Sequence, residues 1–513
     1  MKNIFKYIIA VGAAVTMLSS CDLDLLPSGS IPYEEGTPLF QKESDIASFQ
    51  NGVLASYRAL QYGSFSTSIE LMFDAFNATL SYGNNYGGLH RLDNSFNSSD
   101  SYVEGIWASH YSAIKNYNIA IDNADLVTED LKESATILKG IALFCRASSY
   151  LHLARLWGND YDSATAATDL CVPLVIHYNQ IEKPARATVQ QVYAQIESDL
   201  KEATVILADV PGKVRSEVPT IDAVNALWAR YYLDIENYEE AAFSAVDVIN
   251  SAAGYALAND AKKFQTEFMD DKGTEPIVQL YASKVEGAVG NTIYASVAKN
   301  DDGLYFSALY IPSAVLLNSY DASDLRRSNW FKTTESDAAE GSQKYPLFIN
   351  GSRKEGVTLF TKYIDNPGLH TGTIETGAHA AKPLLISEMY LIAAEAYASA
   401  ETPNTAKAKE YLNILQTARR ATPTDGTMED IKKEWFRETV GEGLRFSCLK
   451  RWGDGFNGRP AQSGPGADLV MSDNNGSYTD KVLAADSHVF NWPIPSYERK
   501  INKNLVPNPG YGE

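Results

Sequence analysis

Cysteine is scarce: the 513 residues hold only Cys21, Cys145, Cys171 and Cys448. That density excludes a disulfide-stapled scaffold, and no Cys/His spacing matches a zinc site. Histidine is also thin, at seven residues. The nucleophile elbow G-x-S-x-G, the zinc-protease pattern H-E-x-x-H and the phosphate loop G-x-x-x-x-G-K-[ST] are absent. The usual sequence marks of hydrolytic and nucleotide chemistry are therefore missing. Positive charge is short, with 44 Lys+Arg against 64 Asp+Glu and a net charge of -20. Such a chain repels phosphate backbones, which argues against nucleic acid as a partner. It also repels anionic headgroups, so membrane attachment cannot come from a basic patch. Beyond residue 20 no apolar run is long enough to span a bilayer.

Attachment has another source at the amino end. Lys2 and Lys6 precede the apolar run Ile4 to Leu18, roughly 15 residues, which is short for a membrane span and right for an export signal. The run ends in Leu18-Ser19-Ser20-Cys21, and this ending resembles the lipobox of bacterial lipoproteins. Residues 1–20 then read as a signal peptide and Cys21 as the lipid anchor. Several acyl chains hold firmly, because each buried methylene contributes about 0.8 kcal/mol. Asp22 and Asp24 resemble the surface-export signal of some outer-membrane lipoproteins. The other cysteines are odd in number; Cys145 and Cys448 sit in apolar, helical contexts and read as buried thiols.

Residues 21–45 are rich in Pro, Gly, Ser and acids and read as a tether; 46–513 read as one domain. Helical periodicity runs over Ile46 to Leu60, Glu104 to Val127, Glu129 to Trp157 and Arg186 to Leu207, the last capped by Thr188 with Gln191 three residues on. Within Ile221 to Asn250, Ala223, Leu227 and Tyr231 share one helix face. Asn237-Tyr238 make a turn, and Ala241, Ala242 and Ala245 let a second helix approach closely. Ile386 to Arg420 repeats this logic with Tyr390, Ala394 and Tyr397, then Ala406, Ala408 and Leu412. These are tetratricopeptide-like pairs, with 104–157 a looser copy, and such units bury their apolar faces only by stacking. The expected fold is mainly α: paired helices over about 104–157, 186–251 and 384–420 form a scaffold. Loop-rich segments over about 62–103, 255–380 and 453–489, with a few short strands, form an irregular face.

At this level of detail the chain resembles the SusD/RagB family of outer-membrane nutrient-binding lipoproteins over nearly its whole length. Arg146-Ala147, Tyr150, Leu156 and Trp157-Gly158, then Val172-Pro173-Leu174, look like one family run. Arg186-Ala187-Thr188-Val189 through Asp199-Leu200 is similar to another. Pro383 to Ala396, Leu412-Asn413 with Ala418-Arg419, and Glu434 through Arg451-Trp452-Gly453 follow in the family's order, and Pro493-Ile494-Pro495 and Asn508-Pro509-Gly510-Tyr511 resemble its end. Trp435, Ser447-Cys448 and Gln416 depart from the pattern and look like altered core ion pairs. The resemblance implies a tetratricopeptide-like scaffold and a SusC-like TonB-dependent β-barrel as partner. It implies a glycan ligand most often and a peptide in some members, with the protein on the outer face of the outer membrane.

Carboxylates are too plentiful for any pair to signal a glycosidase. Glu434, Glu438 and Glu442 share a helix face, and a set of buried ion pairs with Arg437, Arg445 or Arg451 is their expected role. Asp301-Asp302 and Asp270-Asp271 fit no calcium-loop spacing, so neither metal nor cofactor is expected. Binding is the expected activity. Aromatic rings stack on sugars, and amides and carboxylates bond their hydroxyls. Asp74, Tyr82, Asn84, Asn85, Tyr86 and His90 are the candidates in the first loop, and Tyr294, Tyr305 and Trp330 in the second; packing is the commoner fate of any one aromatic. A surface glycoside hydrolase and a pure protein scaffold are the competing classes.

Overall fold

A computed structural model describes residues 38–511 apart from 180, 287–288, 291–292, 302, 335–344, 371, 373 and 473–474. The expected signal peptide, Cys21 and most of the expected tether lie outside the described residues.

The scaffold is a stack of helices: α1 (Glu43–Ala59), α2 (Ser64–Glu70), α3 (Ser101–Ala124), α4 (Lys132–Trp157), α5 (Val189–Ile206), α6 (Ile221–Asp234), α7 (Tyr238–Ile249), α8 (Ile386–Ser399), α9 (Thr405–Ala418), α10 (Met428–Glu438) and α11 (Arg445–Arg451). Consecutive helices pack on one another from α3 to α7, and α8 then packs on α7, α9 and α10. This is the tetratricopeptide-like architecture expected. Local chemistry sets the ends. Thr188 and Gln191 form a reciprocal cap on α5, and Thr427 and Asp430 do so on α10, each satisfying amides that the first turn leaves free. Small residues set the spacing: Ala223, Ala226, Ala229, Ala241 and Ala245 are fully buried. At Gly140 an added Cβ would lie 2.6 Å from Ile206, so α4 and α5 meet where no side chain fits.

Buried ion pairs staple helix to helix. Arg146 on α4 grips Asp199 on α5 through two bonds of 2.8 and 2.7 Å. Arg155 joins α4 to Asp234 on α6, Arg230 joins α6 to Glu388 on α8, and Arg451 on α11 joins Glu395 on α8. The expected three-acid helix face is shorter than read, because α10 ends at Glu438 and Glu442 lies in the turn beyond it, yet all three acids are tied in the same way. Glu434 meets Arg326 and Arg437, Glu438 meets Arg326 and Arg419, and Glu442 meets Lys362. Of the expected partners only Arg437 is used; Arg445 goes instead to Asp74 and Arg451 to Glu395. Gln416, one of the positions that depart from the resembled pattern, donates to Glu434 Oε2 at 3.0 Å. Cys145, Cys171 and Cys448 are buried free thiols, as expected for the first and last.

The irregular segments carry short strands: β1 (Phe76–Ala78), β2 (Pro276–Val278), β3 (Ser296–Asn300), β4 (Gly303–Ser307), β5 (Tyr310–Pro312), β6 (Leu347–Ile349), β7 (Ser352–Lys354) and β8 (Leu384–Leu385). β1 pairs antiparallel with β5, and β8 with β2. The order β3-β4-β6-β7 makes a four-stranded sheet, parallel only between β4 and β6. A second, smaller core of Phe306, Ile311, Leu347, Ile349, Leu359 and neighbours backs this sheet.

Candidate functional site

Residues 79–86 leave β1 and cross the surface beside the four-stranded sheet. The Thr79 amide donates to Leu309 O at 2.8 Å and its hydroxyl to Ala308 O at 2.7 Å. The amide of Leu80 donates to Leu469 O at 2.9 Å. At the far end the Tyr310 hydroxyl donates to Asn85 O at 2.5 Å. Between these anchors Gly83, Asn84 and Tyr86 all adopt left-handed backbone, with φ of 56°, 61° and 56°. Glycine and asparagine tolerate that region, whereas for tyrosine it costs roughly 1–2 kcal/mol. The surrounding bonds hold it there.

Those bonds decide which side chains face outward. Tyr82 and Tyr86 are each 8% exposed. The Tyr82 hydroxyl pairs with that of Tyr478 at 2.8 Å and accepts from Arg91 Nη1 at 3.0 Å, and burial pushes its pKa up to about 12. Tyr86 stacks on Tyr102 with centroids 4.1 Å apart, and its hydroxyl meets Ser64 Oγ at 3.2 Å. Both tyrosines therefore underpin the loop instead of offering ring faces. Asn84 and Asn85 are exposed. Asn84 Oδ1 accepts from Arg91 at 2.8 Å and Asn85 Nδ2 donates to Tyr82 O at 2.8 Å. Each amide thus keeps its other end free among the described residues.

Under the loop lies a clamp that the sequence did not reveal. Arg459 is fully buried and donates to Phe73 O at 3.1 Å, Tyr478 O at 2.9 Å and His90 O at 2.5 Å. Burial lowers its pKa to about 9. Burial and the adjacent guanidinium also hold His90 neutral, well below its usual range. His90 is thus part of the foundation.

The sheet adds the aromatic component. Phe306, Leu347 and Ile349 point into the small core; Tyr305 and Phe348, one residue out of step, must lie on the opposite face. There they are half-buried and meet edge to face at 5.1 Å. The β6–β7 turn, Asn350-Gly351, has φ of 50° and 71°, which a tight hairpin requires. Its Asn350 amide donates to Ser81 Oγ at 2.7 Å, so the sheet is docked against the 79–86 loop. The structure thus ties the sheet that carries Tyr305 to the loop that carries the exposed Asn84 and Asn85, with Tyr82 and Tyr86 buried in that loop. Phe348 was missed in the sequence, although the run Leu347-Phe348-Ile349 ahead of Asn-Gly carries a hairpin signal.

Three expected ligand residues lie elsewhere. Asp74 is 5% exposed and both its oxygens are taken by Arg445, at 3.1 and 2.8 Å. Tyr294 is buried and stacked on Phe76 at 4.3 Å. Trp330 is 1% exposed, set against Phe264 and Phe268, with the Lys362 ammonium 4.1 Å above its ring. A buried ring has no face to offer a ligand, so these are corrected to packing residues.

Among the described residues no cluster of three or more His, Cys, Asp or Glu side chains could hold a metal ion. No described helix is long and apolar enough to cross a membrane.

Comparison with known proteins places this geometry. A model described as the SusD family matches residues 225–511, and one described as starch-binding, associating with the outer membrane, matches 23–233. The chain belongs to the SusD family. SusD-like protein P2 of Formosa agariphila is 25% identical, covering 97% of this chain and 98% of its own. A putative sugar binding protein from Bacteroides vulgatus is 25% identical with a TM-score of 0.73, covering 93% of this chain and all of that one. A laminarin binding SusD-like protein shares the fold at 18% identity and a TM-score of 0.68, over 92% of this chain and 100% of its own. The chain is thus a member of a glycan-binding family associated with the outer membrane.

Proposed function

We propose that this SusD-family protein captures oligo- or polysaccharide at the cell surface and hands it to a SusC-like TonB-dependent barrel, without catalysing a reaction. The observation that carries the reading is the exposed pair of amides, Asn84 and Asn85, on a loop bonded through Ser81 to the sheet that bears the Tyr305–Phe348 aromatic pair. A sugar ring has an apolar face for the aromatics and hydroxyls for the amides. The site is held rigid from below by Arg459, Tyr82 and Tyr86, so little ordering is needed when ligand arrives. The laminarin-binding relative and a surface glycan-binding relative from Bacteroides fluxus of the same fold support the ligand class. The lipobox-like ending at Cys21 supports anchoring on the outer membrane, with the binding face presented outside the cell.

Calorimetric titration of the soluble 22–513 protein against laminarin, starch, xylan, mannan and a set of oligopeptides tests this. Heat with one polysaccharide and none with peptides is the expected outcome. Heat with peptides alone would move the protein to peptide uptake, and release of shorter sugars from any polysaccharide would make it a hydrolase.

A further inference from the structure

A second groove lies between α1 and the segments 216–218 and 280–286, with about 420 Å³ of free space. The sequence builds one wall by spacing alone: Gln50, Leu54 and Arg58 recur every fourth residue of α1 and share a face. The other wall is set by strand pairing. Ser216 bridges to Val278 and accepts from the Gln279 amide at 2.9 Å, which places Glu217 and Val218 beside Leu280 and Tyr281. Arg58 closes one end, donating to Tyr281 O at 2.9 Å and to Glu286 Oε1 at 3.2 Å. Leu54, Val218 and Leu280 make an apolar floor, and Gln50, Asn51, Glu217 and Tyr281 make the rim.

Two features set this groove apart from an ordinary surface crease. Tyr281 is 47% exposed, unlike the packed tyrosines of the first loop. The side chains of Gln50, Asn51, Glu217 and Tyr281 make no hydrogen bond or ion pair with any other described residue. Five polar or aromatic groups thus converge on an apolar floor, and the one cation among them already has a carboxylate partner.

We propose that this groove is a second carbohydrate subsite for a neutral sugar. The Tyr281 ring covers the apolar face of a pyranose, and the amides of Gln50 and Asn51 with the Glu217 carboxylate bond its hydroxyls. Arg58 is neutralised by Glu286 and Glu217 is not balanced, so an anionic ligand is repelled. The free space falls at the lower end of ordinary ligand pockets, on the order of one or two sugar rings. Two such subsites on one molecule hold a long glycan more tightly than either does alone, because the second contact is intramolecular. The inference takes only its ligand class from the proposed function.

Affinity electrophoresis tests it, with laminarin, starch, xylan or mannan cast into native gels and the 22–513 protein run as wild type, Tyr281→Ala, Gln50→Ala with Asn51→Ala, and Tyr305→Ala with Phe348→Ala. The side chains removed in the first two variants are exposed at Tyr281 and Asn51 and half-buried at Gln50, and none lies in the core, so both fold. The expected result is a retaining polysaccharide for which Tyr281→Ala and the amide pair each weaken retention about three- to tenfold, the range for one aromatic or polar contact. Retention unchanged in both, but lost in Tyr305→Ala with Phe348→Ala, overturns the second subsite and leaves the first. Retention lost only in the Tyr281 and amide variants upholds this groove and removes the loop-and-sheet site. A wild type retained by none of the four overturns both.

Discussion

Arg146 and Tyr305 typify two regions built on opposite rules. In the helical stack, charged side chains are buried and every one of the stapling ion pairs is closed, often by two bonds, as between Arg146 and Asp199. On the loop-and-sheet face, polar groups are positioned by the backbone beneath them and left with bonding capacity to spare, as at Asn84 and Asn85. The first arrangement makes one helix order stable against others. The second keeps donors and acceptors ready for a ligand. Substitutions should therefore separate cleanly: scaffold changes should cost stability, and face changes should cost binding.

The largest effect is expected at Arg419, fully buried between Glu275 and Glu438. Arg419→Met leaves Glu275 without its ion-pair partner in the core and Glu438 with Arg326 alone, and should lower unfolding free energy by about 4 kcal/mol, read by urea denaturation. Trp330→Ala should cost about 3 kcal/mol through the cavity it opens. It should leave glycan affinity unchanged at temperatures where the protein stays folded. Weakened affinity with intact stability would place Trp330 back in the site.

Glu70 sharpens the comparison through pH. It is buried at the end of α2 and its carboxylate accepts from the Gly443 amide at 3.2 Å. Burial raises its pKa from 4.5 to about 7. Its folded pKa lies above the unfolded one, so the fold binds the proton more tightly. The stability this contributes is present at low pH and lost as pH rises from 4.5 through 7. Glu70→Gln should raise stability by about 2 kcal/mol at pH 8 and change little at pH 5, followed as the difference between variant and wild-type melting curves. The smallest effect on stability, under about 1 kcal/mol, is expected for Tyr305→Ala with Phe348→Ala, because both rings are only half-buried.

Legibility in the sequence divides along the same line. The scaffold was readable because its signals are local: Ala223, Leu227 and Tyr231 at helical spacing, Thr188 with Gln191 as a cap, and Ala241, Ala242 and Ala245 where helices touch. The face was readable only as composition. Gly, Asn and Tyr over 82–88 marked a loop, but exposure of its tyrosines did not follow. Tyr82 is buried because its hydroxyl meets Tyr478, 396 residues away, and no local pattern reports such a partner. Trp330 sits in an irregular segment yet is core because Phe264, Phe268 and Lys362 close around it. Glu434, Glu438 and Glu442 were readable as ion-paired, but most of their partners, Arg326, Arg419 and Lys362, come from distant segments that the helix periodicity does not see, and Glu442 lies past the end of α10.

The most direct test is the affinity of the Tyr305→Ala, Phe348→Ala protein for the polysaccharide that binds wild type, measured by calorimetry beside its melting temperature. A loss of about tenfold or more, with melting nearly unchanged, is expected if the sheet and the 79–86 loop hold the ligand. Wild-type affinity in that variant would contradict the assignment of this face as the capture site.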